Sequence, residues 1–322
     1  MYKSIKEFNK QFFYQPHIEN AKKLRKHSNF LIAGMGGSHF PASLLKLWKP
    51  DIDLITWNNY GLPRIPLSRW KDRLVIASSY SGNTAETIDA FLVAKRRGLS
   101  VAVIASGGRL IKLAKQYGVP YIAIPDLHIQ PRMATGLIVR ATLKFMGDEG
   151  VLRELESLGK RFAPSRLEFA GKRLARRIRG KIPIVYASDR NSSIARIWKI
   201  KFNETGKIPA FFNVLPEQNH NEMTGFDVAH RTSVLSSRFH FMFLYDKTDD
   251  PRIIRRMMVL KNLYRRRALP VEVIPLKGAK PIERVFSSLI LADWTAYHTA
   301  KYYGVDPEAV PMVEEFKKLI RG

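Results

Sequence analysis

The first half of the chain alternates short apolar runs with longer segments in which apolar residues recur at helical spacing. Five β-strands are predicted from the apolar runs at 29–34, 51–57, 73–78, 99–105 and 120–124. Helices are predicted from the periodic segments at 41–47, 84–97, 110–117 and 133–146. Because strands and helices alternate, we expect a parallel sheet with helices on both faces.

The same alternation restarts in the second half, after a charged helical stretch predicted at 152–180. Further strands are predicted at 183–188, 210–214, 240–245 and 271–274. Further helices are predicted at 193–205, 252–267, 282–303 and 307–320. We therefore expect an α/β protein of two similar doubly wound parallel-sheet domains, 1–150 and 151–322. No fixed short repeat is present, which argues against a solenoid.

Composition narrows the class of protein. The chain has 322 residues, of which 45% are hydrophobic and 25% charged, as in a globular protein of more than one core. It has no cysteine, which excludes disulfides, iron–sulfur clusters, cysteine zinc sites and thiol nucleophiles. No apolar run approaches the roughly 20 residues that cross a bilayer, and the N-terminal residues lack a secretory hydrophobic stretch. We expect a soluble, cytoplasmic protein without a membrane partner.

The charge balance suggests a second hypothesis. Lysine and arginine number 54 against 28 acidic residues, a formal net charge of +26, which could indicate nucleic-acid binding. The densest basic runs, at 172–181 and 252–267, are interrupted by apolar residues at helical spacing, which is typical of solvated helix faces. No nucleic-acid-binding motif is present, so we expect no specific nucleic-acid partner. A positive field would instead steer any anionic substrate towards the protein.

Two loops in the first half follow predicted strands, where doubly wound sheets bind ligands. The glycine-rich loop 34–38 lacks the spacing of the dinucleotide and P-loop motifs, so alone it indicates only a tight turn. The second loop supplies four hydroxyl groups, those of Ser79, Ser81, Thr84 and Thr87. Asn83 and Glu86 resemble a capping box at the start of the next helix. Hydroxyls and free N–H groups at a helix start bind anions such as phosphate, although serine and threonine there often only cap the helix.

The second half contains a carboxylate and an imidazole that suit proton transfer. Glu204 ends a predicted helix, and His220 follows sixteen residues later within 216–222. They could act on one substrate if they converge, which spacing alone does not show. A single glutamate is more often a surface residue, and a single histidine more often structural. None of the eight histidines forms a paired ligand motif, so no metal site is expected.

These motifs together resemble one family. The sequences GMGGS at 34–38 and SYSGNTAET at 79–87 are similar to the signature of the sugar isomerase (SIS) domain. Gln130-Pro131-Arg132, Asn203-Glu204 and PEQNHNE at 216–222 narrow the resemblance to the bifunctional phosphoglucose/phosphomannose isomerases. The resemblance extends to the C-terminal helix and implies two SIS-type, Rossmann-like domains. It also implies interconversion of glucose 6-phosphate and mannose 6-phosphate with fructose 6-phosphate, in glycolysis and gluconeogenesis, without cofactor or metal.

The resemblance implies a role for each site residue. The substrate phosphate would be held by residues matching Gly37, Ser38, Ser79, Ser81 and Thr84. Glu204 matches the base that moves a proton between C2 and C1, a task that needs a carboxylate pKa raised towards neutrality. Arg132 matches the cation that stabilises the anionic enediolate more than the neutral substrate.

The resemblance also implies a homodimer, because the histidine matching His220 opens the sugar ring from the partner subunit. A lysine of the C-terminal helix assists, and it matches Lys317, or Lys318 if the register shifts by one residue. Val310 stands where members with dual specificity carry threonine, and valine cannot hydrogen-bond a sugar hydroxyl. We therefore expect phosphoglucose activity to be the better supported of the two.

One alternative function stays open at this stage. SIS domains also occur in regulators that bind phosphosugars without catalysis. Such a sensor needs the hydroxyl loop but not Glu204, Arg132 and His220, so the second-half residues favour an enzyme.

Overall fold

A computed structural model describes residues 1–228 and 231–320 of the chain. Contacts between Cα atoms divide it into two compact units. The N-terminal unit comprises Lys6–Ala163, and the C-terminal unit comprises Pro164–Gly322 together with Met1–Ile5. Within the described residues, no helix combines the length and the apolar character needed to cross a membrane.

The N-terminal unit contains a five-stranded parallel sheet with the order β2-β1-β3-β4-β5. Its strands are β1 (Asn29–Ala33), β2 (Leu54–Trp57), β3 (Arg73–Ser78), β4 (Ser100–Ala105) and β5 (Tyr121–Ala123). The chain opens with α1 (Tyr2–Lys6), and the helices of this unit are α2 (Phe40–Trp48), α3 (Ala85–Arg96), α4 (Gly108–Gln116), α5 (Thr135–Phe145) and α6 (Glu149–Arg161).

The C-terminal unit contains a four-stranded parallel sheet with the order β7-β6-β8-β9. Its strands are β6 (Ile182–Ser188), β7 (Phe211–Leu215), β8 (Phe239–Tyr245) and β9 (Val271–Pro275). Its helices are α7 (Glu168–Arg177), α8 (Ser192–Lys201), α9 (Glu222–Gly225), α10 (Ser233–Ser236), α11 (Pro251–Arg266), α12 (Pro281–Tyr302) and α13 (Pro311–Leu319).

Each sheet is most apolar at its centre. All six residues of β3 are buried, because a central parallel strand is covered on both faces and so carries a continuous apolar run. On one face, Val75 of β3 packs in a cluster with Phe91 of α3 and Leu110 of α4. In the C-terminal unit, Phe241 and Phe243 of β8 form the corresponding cluster with α11. The expected fold class, two doubly wound α/β units, is confirmed.

The structure corrects several predicted element bounds. The single helix expected at 152–180 is two helices, α6 and α7, separated by residues 162–167, of which Pro164–Leu167 form a 3-10 turn. Pro164 causes the break, since proline lacks an N–H and disfavours helical geometry in the residue before it. The second strand begins at Leu54 rather than at position 51, and the last helix begins at Pro311 rather than at 307.

The strand orders identify where each sheet can bind a ligand. In the N-terminal unit, β2 lies on one side of β1, and β3 lies on the other side and is followed by β4 and β5. Connections from β1 and β3 therefore run to opposite sides, which opens a crevice beyond their carboxyl ends. In the C-terminal unit the same reversal lies between β6 and β8.

His240 of β8 is a buried titratable residue that is not among the predicted site residues. It is 6% exposed, and neither ring nitrogen has a hydrogen-bond partner in the part of the chain that the structure describes. Burial lowers the pKa of His240 from 6.5 to about 4, assisted by Lys181 and Arg177 and opposed by Glu272. The imidazole is therefore neutral in the folded protein at neutral pH.

We expect His240 to lower the stability of the folded protein progressively as the pH falls from 6.5 to 4. In that window the unfolded chain binds a proton that the folded chain refuses, so acidification lowers the free energy of unfolding by about 3 kcal/mol through this residue. Urea unfolding of wild type and His240→Phe at several pH values measures the effect. The difference in stability between the two proteins should change across the window, and pH profiles that stay parallel would contradict the expectation.

Candidate active site

The crevice of the N-terminal unit is lined by the two loops that the sequence singled out. Ser38 and Ser79, one from each loop, are 4% and 2% exposed. The backbone N–H of Tyr80 donates to Ser38 Oγ at 2.9 Å, which ties the second loop to the first. Ser79 Oγ lies 2.8 Å from Thr84 Oγ1 within the second loop. The sheet topology thus brings two segments about forty residues apart in sequence into one pocket of hydroxyl groups.

These hydroxyls keep protons that can be donated to an anion. A hydroxyl has one donor and two acceptor positions. Ser38 accepts from a backbone N–H, as does Ser81, whose Oγ lies 3.3 Å from the nitrogen of Asn83. Ser79 and Thr84 use one proton between them and leave the other available. We call this group of four side chains, Ser38, Ser79, Ser81 and Thr84, the hydroxyl cradle.

The start of α3 adds backbone donors to the hydroxyl cradle. Thr84 is the N-cap residue and makes no side-chain cap bond. The expected capping box is wrong, because Asn83 Oδ1 instead accepts from the backbone N–H of Arg109 at 2.9 Å. Uncapped N–H groups and the positive end of the helix dipole favour an anion at this position.

Gly82 makes this loop possible. Its φ of +69° lies in the left-handed region, and a Cβ there would stand 1.9 Å from the carbonyl oxygen of Gly107. Any other residue would collide with that carbonyl and strain its own backbone, so the close contact between the hydroxyl loop and the loop that follows β4 requires glycine.

Arg132 is brought next to the hydroxyl cradle by a second close approach. A Cβ on Gly37 would lie 2.7 Å from the Cα of Arg132, so the glycine-rich loop rests directly on the backbone of the arginine. Arg132 is 2% exposed, and its Nη1 donates to Gln130 Oε1 at 3.2 Å. The glycine-rich loop, the hydroxyl loop and the arginine thus belong to one site in the N-terminal unit.

Gln11 supports this arginine, although no sequence motif points to it. Its Nε2 donates to the carbonyl of Met133 at 2.7 Å, and its Oε1 accepts from the backbone N–H of Gly136 at 3.0 Å. It thereby braces the turn that carries Arg132 against the start of α5. A single glutamine over a hundred positions away gives no sequence signal for this contact.

In the C-terminal unit, Glu204 lies on a π-helical turn, Phe202–Gly206, that continues α8. The predicted helix 193–205 thus ends as an α-helix at Lys201, and such π-turns are frequent at functional sites. Lys207 has a φ of +59°. Its ammonium donates hydrogen bonds to the carbonyl of Glu204, at 2.6 Å, and to the carbonyl of Ala309.

A buried ion pair anchors the segment that precedes this turn. Lys201 and Asp293 lie 2.7 Å apart, and each side chain is 2% exposed. The pair joins the end of α8 to α12. Glu204 is therefore half-buried on a turn with fixed supports at both ends, which suits a side chain that must meet a substrate atom.

The other predicted catalytic residues lie on separate elements of the C-terminal unit. His220 ends a short 3-10 turn, Glu217–His220, and is exposed. Lys317 and Lys318 are exposed on α13. The structure therefore groups the hydroxyl cradle with Arg132, whereas the convergence of Glu204, His220 and Lys317 on one substrate stays a prediction.

The crevice of the C-terminal unit has the opposite chemistry to the cradle. Asp246 and Asp249 lie there, 2% and 7% exposed, at the end of β8. Asn191 Nδ2 donates to Asp249 at 3.1 Å, and Arg284 lies 3.5 Å from Asp246. Burial raises the pKa of Asp249, with a further contribution from Asp246. Arg190 also lies 3.6 Å from Asp246 and 3.8 Å from Asp249, so the arginines of this crevice are already paired with carboxylates. Among the described residues, no cluster of three or more potential metal ligands occurs.

Known proteins are similar to this chain in sequence and in fold. Residues 168–320 match the model of the bacterial phospho-glucose isomerase C-terminal SIS domain. The bifunctional phosphoglucose/phosphomannose isomerase of Aquifex aeolicus is 31% identical over 329 residues, covering 100% of this chain and 98% of that protein. The D-glucosamine-6-phosphate 4-epimerase of Sulfolobus acidocaldarius is 34% identical over 231 residues, covering 69% of this chain and 71% of the epimerase.

A solved structure shows the same fold at low identity. Tagatose-6-phosphate ketose/aldose isomerase from Escherichia coli superposes with a TM-score of 0.63 at 16% identity, covering 95% of this chain and 88% of that one. The two parallel sheets thus define a protein of two α/β domains, and the C-terminal domain matches an SIS domain. The full-length similarity is more specific: the chain belongs to the bifunctional phosphoglucose/phosphomannose isomerase family.

Proposed function

We propose that the protein interconverts glucose 6-phosphate, and also mannose 6-phosphate, with fructose 6-phosphate. The full-length similarity to the bifunctional isomerases supports an aldose–ketose isomerase. The reaction moves a proton from C2 to C1 through an enediolate, and the C1 carbonyl becomes a hydroxyl as the C2 hydroxyl becomes a carbonyl. Atoms balance without an oxidant or reductant, so the chain needs only acid, base and electrostatic groups.

Each residue of the proposed site takes a separate part of this task. The hydroxyl cradle and the start of α3 bind the substrate phosphate, and Glu204 takes the C2 proton and returns it at C1. Arg132 stabilises the negative charge of the enediolate, because its guanidinium is buried and cannot lose its proton. His220 protonates the ring oxygen to open the sugar, with Lys317 assisting.

The observation that carries the proposal is the contact between Arg132 and the glycine-rich loop of the cradle. For a regulator that only senses a phosphosugar, a buried cation beside the phosphate site contributes to binding of the anion alone. An enzyme with an anionic intermediate gains transition-state stabilisation from that cation. The arrangement therefore suits an enzyme, and the full-length similarity to the bifunctional isomerases favours catalysis over sensing.

The similarity to an epimerase makes 4-epimerisation of glucosamine 6-phosphate the second candidate. Isomerisation breaks the C2–H bond, whereas 4-epimerisation changes the configuration at C4. In heavy water, isomerisation therefore introduces deuterium at C1 and C2, whereas the product of 4-epimerisation is recognised by its changed configuration at C4.

We expect glucose 6-phosphate incubated with the protein in D2O, without added metal, to yield fructose 6-phosphate carrying deuterium at C1. Deuterium should also enter C2 of the recovered glucose 6-phosphate, since the base returns a solvent-derived proton. NMR of the sugar phosphates measures both positions. Conversion of glucosamine 6-phosphate to its C4 epimer, with no turnover of glucose 6-phosphate, would replace the proposal with the epimerase. Binding without any turnover would indicate a sensor.

We further propose that the protein works as a homodimer with a shared active site. Three apolar side chains of α13, those of Met312, Phe316 and Leu319, are 81%, 60% and 73% exposed, a surface that a second copy would cover.

Phosphorylated hexoses are charged and do not cross membranes unaided. We therefore place the reaction in the cytoplasm, in glycolysis and gluconeogenesis.

A further inference from the structure

The loop that carries His220 is held from inside the C-terminal unit on both sides of the histidine. Two positions before it, Gln218 is 0% exposed and donates from Nε2 to the hydroxyl of Tyr264 at 3.1 Å. Two positions after it, Glu222 accepts through Oε1 from the hydroxyl of Tyr186 and through Oε2 from Asn213. The residues on both sides of the histidine are thus hydrogen-bonded to buried phenols, and Glu222 is also bonded to Asn213 of β7.

The two phenols form one unit. Tyr186 of β6 and Tyr264 of α11 are 0% and 1% exposed, and their hydroxyl oxygens lie 3.5 Å apart. Burial raises the pKa of Tyr264 to about 12, and burial with the neighbouring Tyr264 and Glu222 raises that of Tyr186 further. Both hydroxyls therefore keep their protons throughout the pH range in which enzymes work, and Tyr186 remains a donor to Glu222.

His220 has no comparable support of its own. Its side chain is exposed, and within residues 1–228 and 231–320 no hydrogen bond holds its ring. The position of the imidazole therefore depends on the backbone between Gln218 and Glu222. A proton donor displaced by about 1 Å can lose about 100-fold in rate, so this support matters for a reaction step.

We propose that Tyr186 is a positioning residue for His220. It fixes the His220 loop through Glu222, so that the ring-opening proton transfer depends on a phenol in the core of the C-terminal unit. The inference rests on the proposed function, in which His220 protonates the ring oxygen. Tyr186 itself touches no substrate and exchanges no proton.

A purely structural role for Tyr186 makes a different prediction. Its ring packs against Phe241 and Phe243, with centroids 5.8 and 5.4 Å away. Tyr186→Phe keeps these contacts and removes only the hydroxyl that donates to Glu222. If the residue only stabilises the fold, the loss of that hydroxyl should affect activity equally whether or not His220 is present.

A double-mutant cycle on the full chain separates the two roles. Wild type, Tyr186→Phe, His220→Gln and the double variant are assayed at saturating glucose 6-phosphate. Because sugar rings also open slowly without help, His220→Gln should retain measurable turnover. We expect Tyr186→Phe to lower kcat about tenfold or more in the wild-type background and less than twofold in the His220→Gln background. KM should change little, since the phosphate is bound in the other unit.

Two further variants keep the test decisive. Tyr297→Phe removes a phenol of α12 outside this network and should leave kcat within twofold of wild type. If Tyr186→Phe does not fold, Glu222→Ala removes the acceptor of the same link from the loop side and should show the same dependence on His220.

Three results would overturn the inference or its basis. Equal losses of kcat in both backgrounds would make Tyr186 a structural residue, and unchanged kcat in wild type would make its hydroxyl irrelevant to the loop. Full activity of His220→Gln would instead remove the ring-opening role from the proposed function, and with it the reason for positioning.

Discussion

Replacing Glu204 with glutamine should lower kcat for glucose 6-phosphate by about 100- to 10,000-fold, the range that removal of a general base usually costs. The amide has the size of the carboxylate but cannot take the C2 proton. Glu204 sits on the π-turn between the buried Lys201–Asp293 pair and Lys207, so the substitution should leave the turn in place. Stopped-flow or steady-state kinetics measures kcat, and calorimetry measures substrate binding.

Substrate affinity should survive in this variant, because in the proposed function the hydroxyl cradle, and not Glu204, binds the phosphate. Glu149→Gln is the matched control: its carboxylate pairs with Lys144 on the N-terminal unit, away from every proposed site residue. That control should retain wild-type kcat. Turnover of Glu204→Gln close to that of wild type would remove the glutamate from the role of base.

Arg132→Gln should lower kcat by about 100- to 1,000-fold, comparable to the loss of one preorganised oxyanion donor. Arg132 is 2% exposed, and in the proposed function the anionic enediolate gains more from its charge than the ground-state sugar does. Arg132→Lys should recover only part of the rate, since an ammonium cannot reproduce the planar donor geometry. Steady-state kinetics of both variants measures the effect, and kcat unchanged in Arg132→Gln would place the stabilising charge elsewhere.

Gly37→Ala tests whether the position of that charge matters as well as its presence. The added Cβ would stand 2.7 Å from the backbone of Arg132, so loop and arginine must separate. We expect kcat to fall although every charged group remains. Gly36→Ala is the matched control, because a Cβ there meets nothing within 4 Å and the strain of its φ of +51° is local. A similar kcat for the two variants would contradict the close approach as the cause.

Local pattern was sufficient for most of the secondary structure. The strand predicted at 73–78 is β3 at both ends, because a buried parallel strand is a continuous apolar run that polar turns interrupt. The helix predicted at 252–267 is α11 to within one residue at each end. The hydroxyl loop was visible for a similar reason, since its serines, threonines and glycine are adjacent in sequence. Where an interruption depends on one proline, as at Pro164, the same patterns joined two helices into one.

Parts of the site left no trace in the pattern. Asn83 was expected to cap α3 but instead accepts from the backbone of Arg109, a partner 26 positions away that capping rules do not consider. The π-turn under Glu204 has the same apolar spacing as an α-helix, and its anchor is Asp293, far along the chain. In the sequence, Gln11 looks like an ordinary polar residue and Tyr186 like an ordinary strand residue, and only their hydrogen-bond partners show otherwise.

The order of apolar and polar residues determined, without any coordinates, that this chain forms alternating strands and helices and that a hydroxyl-rich loop opens one helix. Tertiary structure alone decided which of the distant segments meet: Gly37 on Arg132, Gln11 behind it, and two buried phenols under the loop of His220. The reason is physical. Secondary structure follows from interactions between residues a few positions apart, whereas a site is made of hydrogen bonds and close packing between residues that the chain brings together only when both sheets are complete.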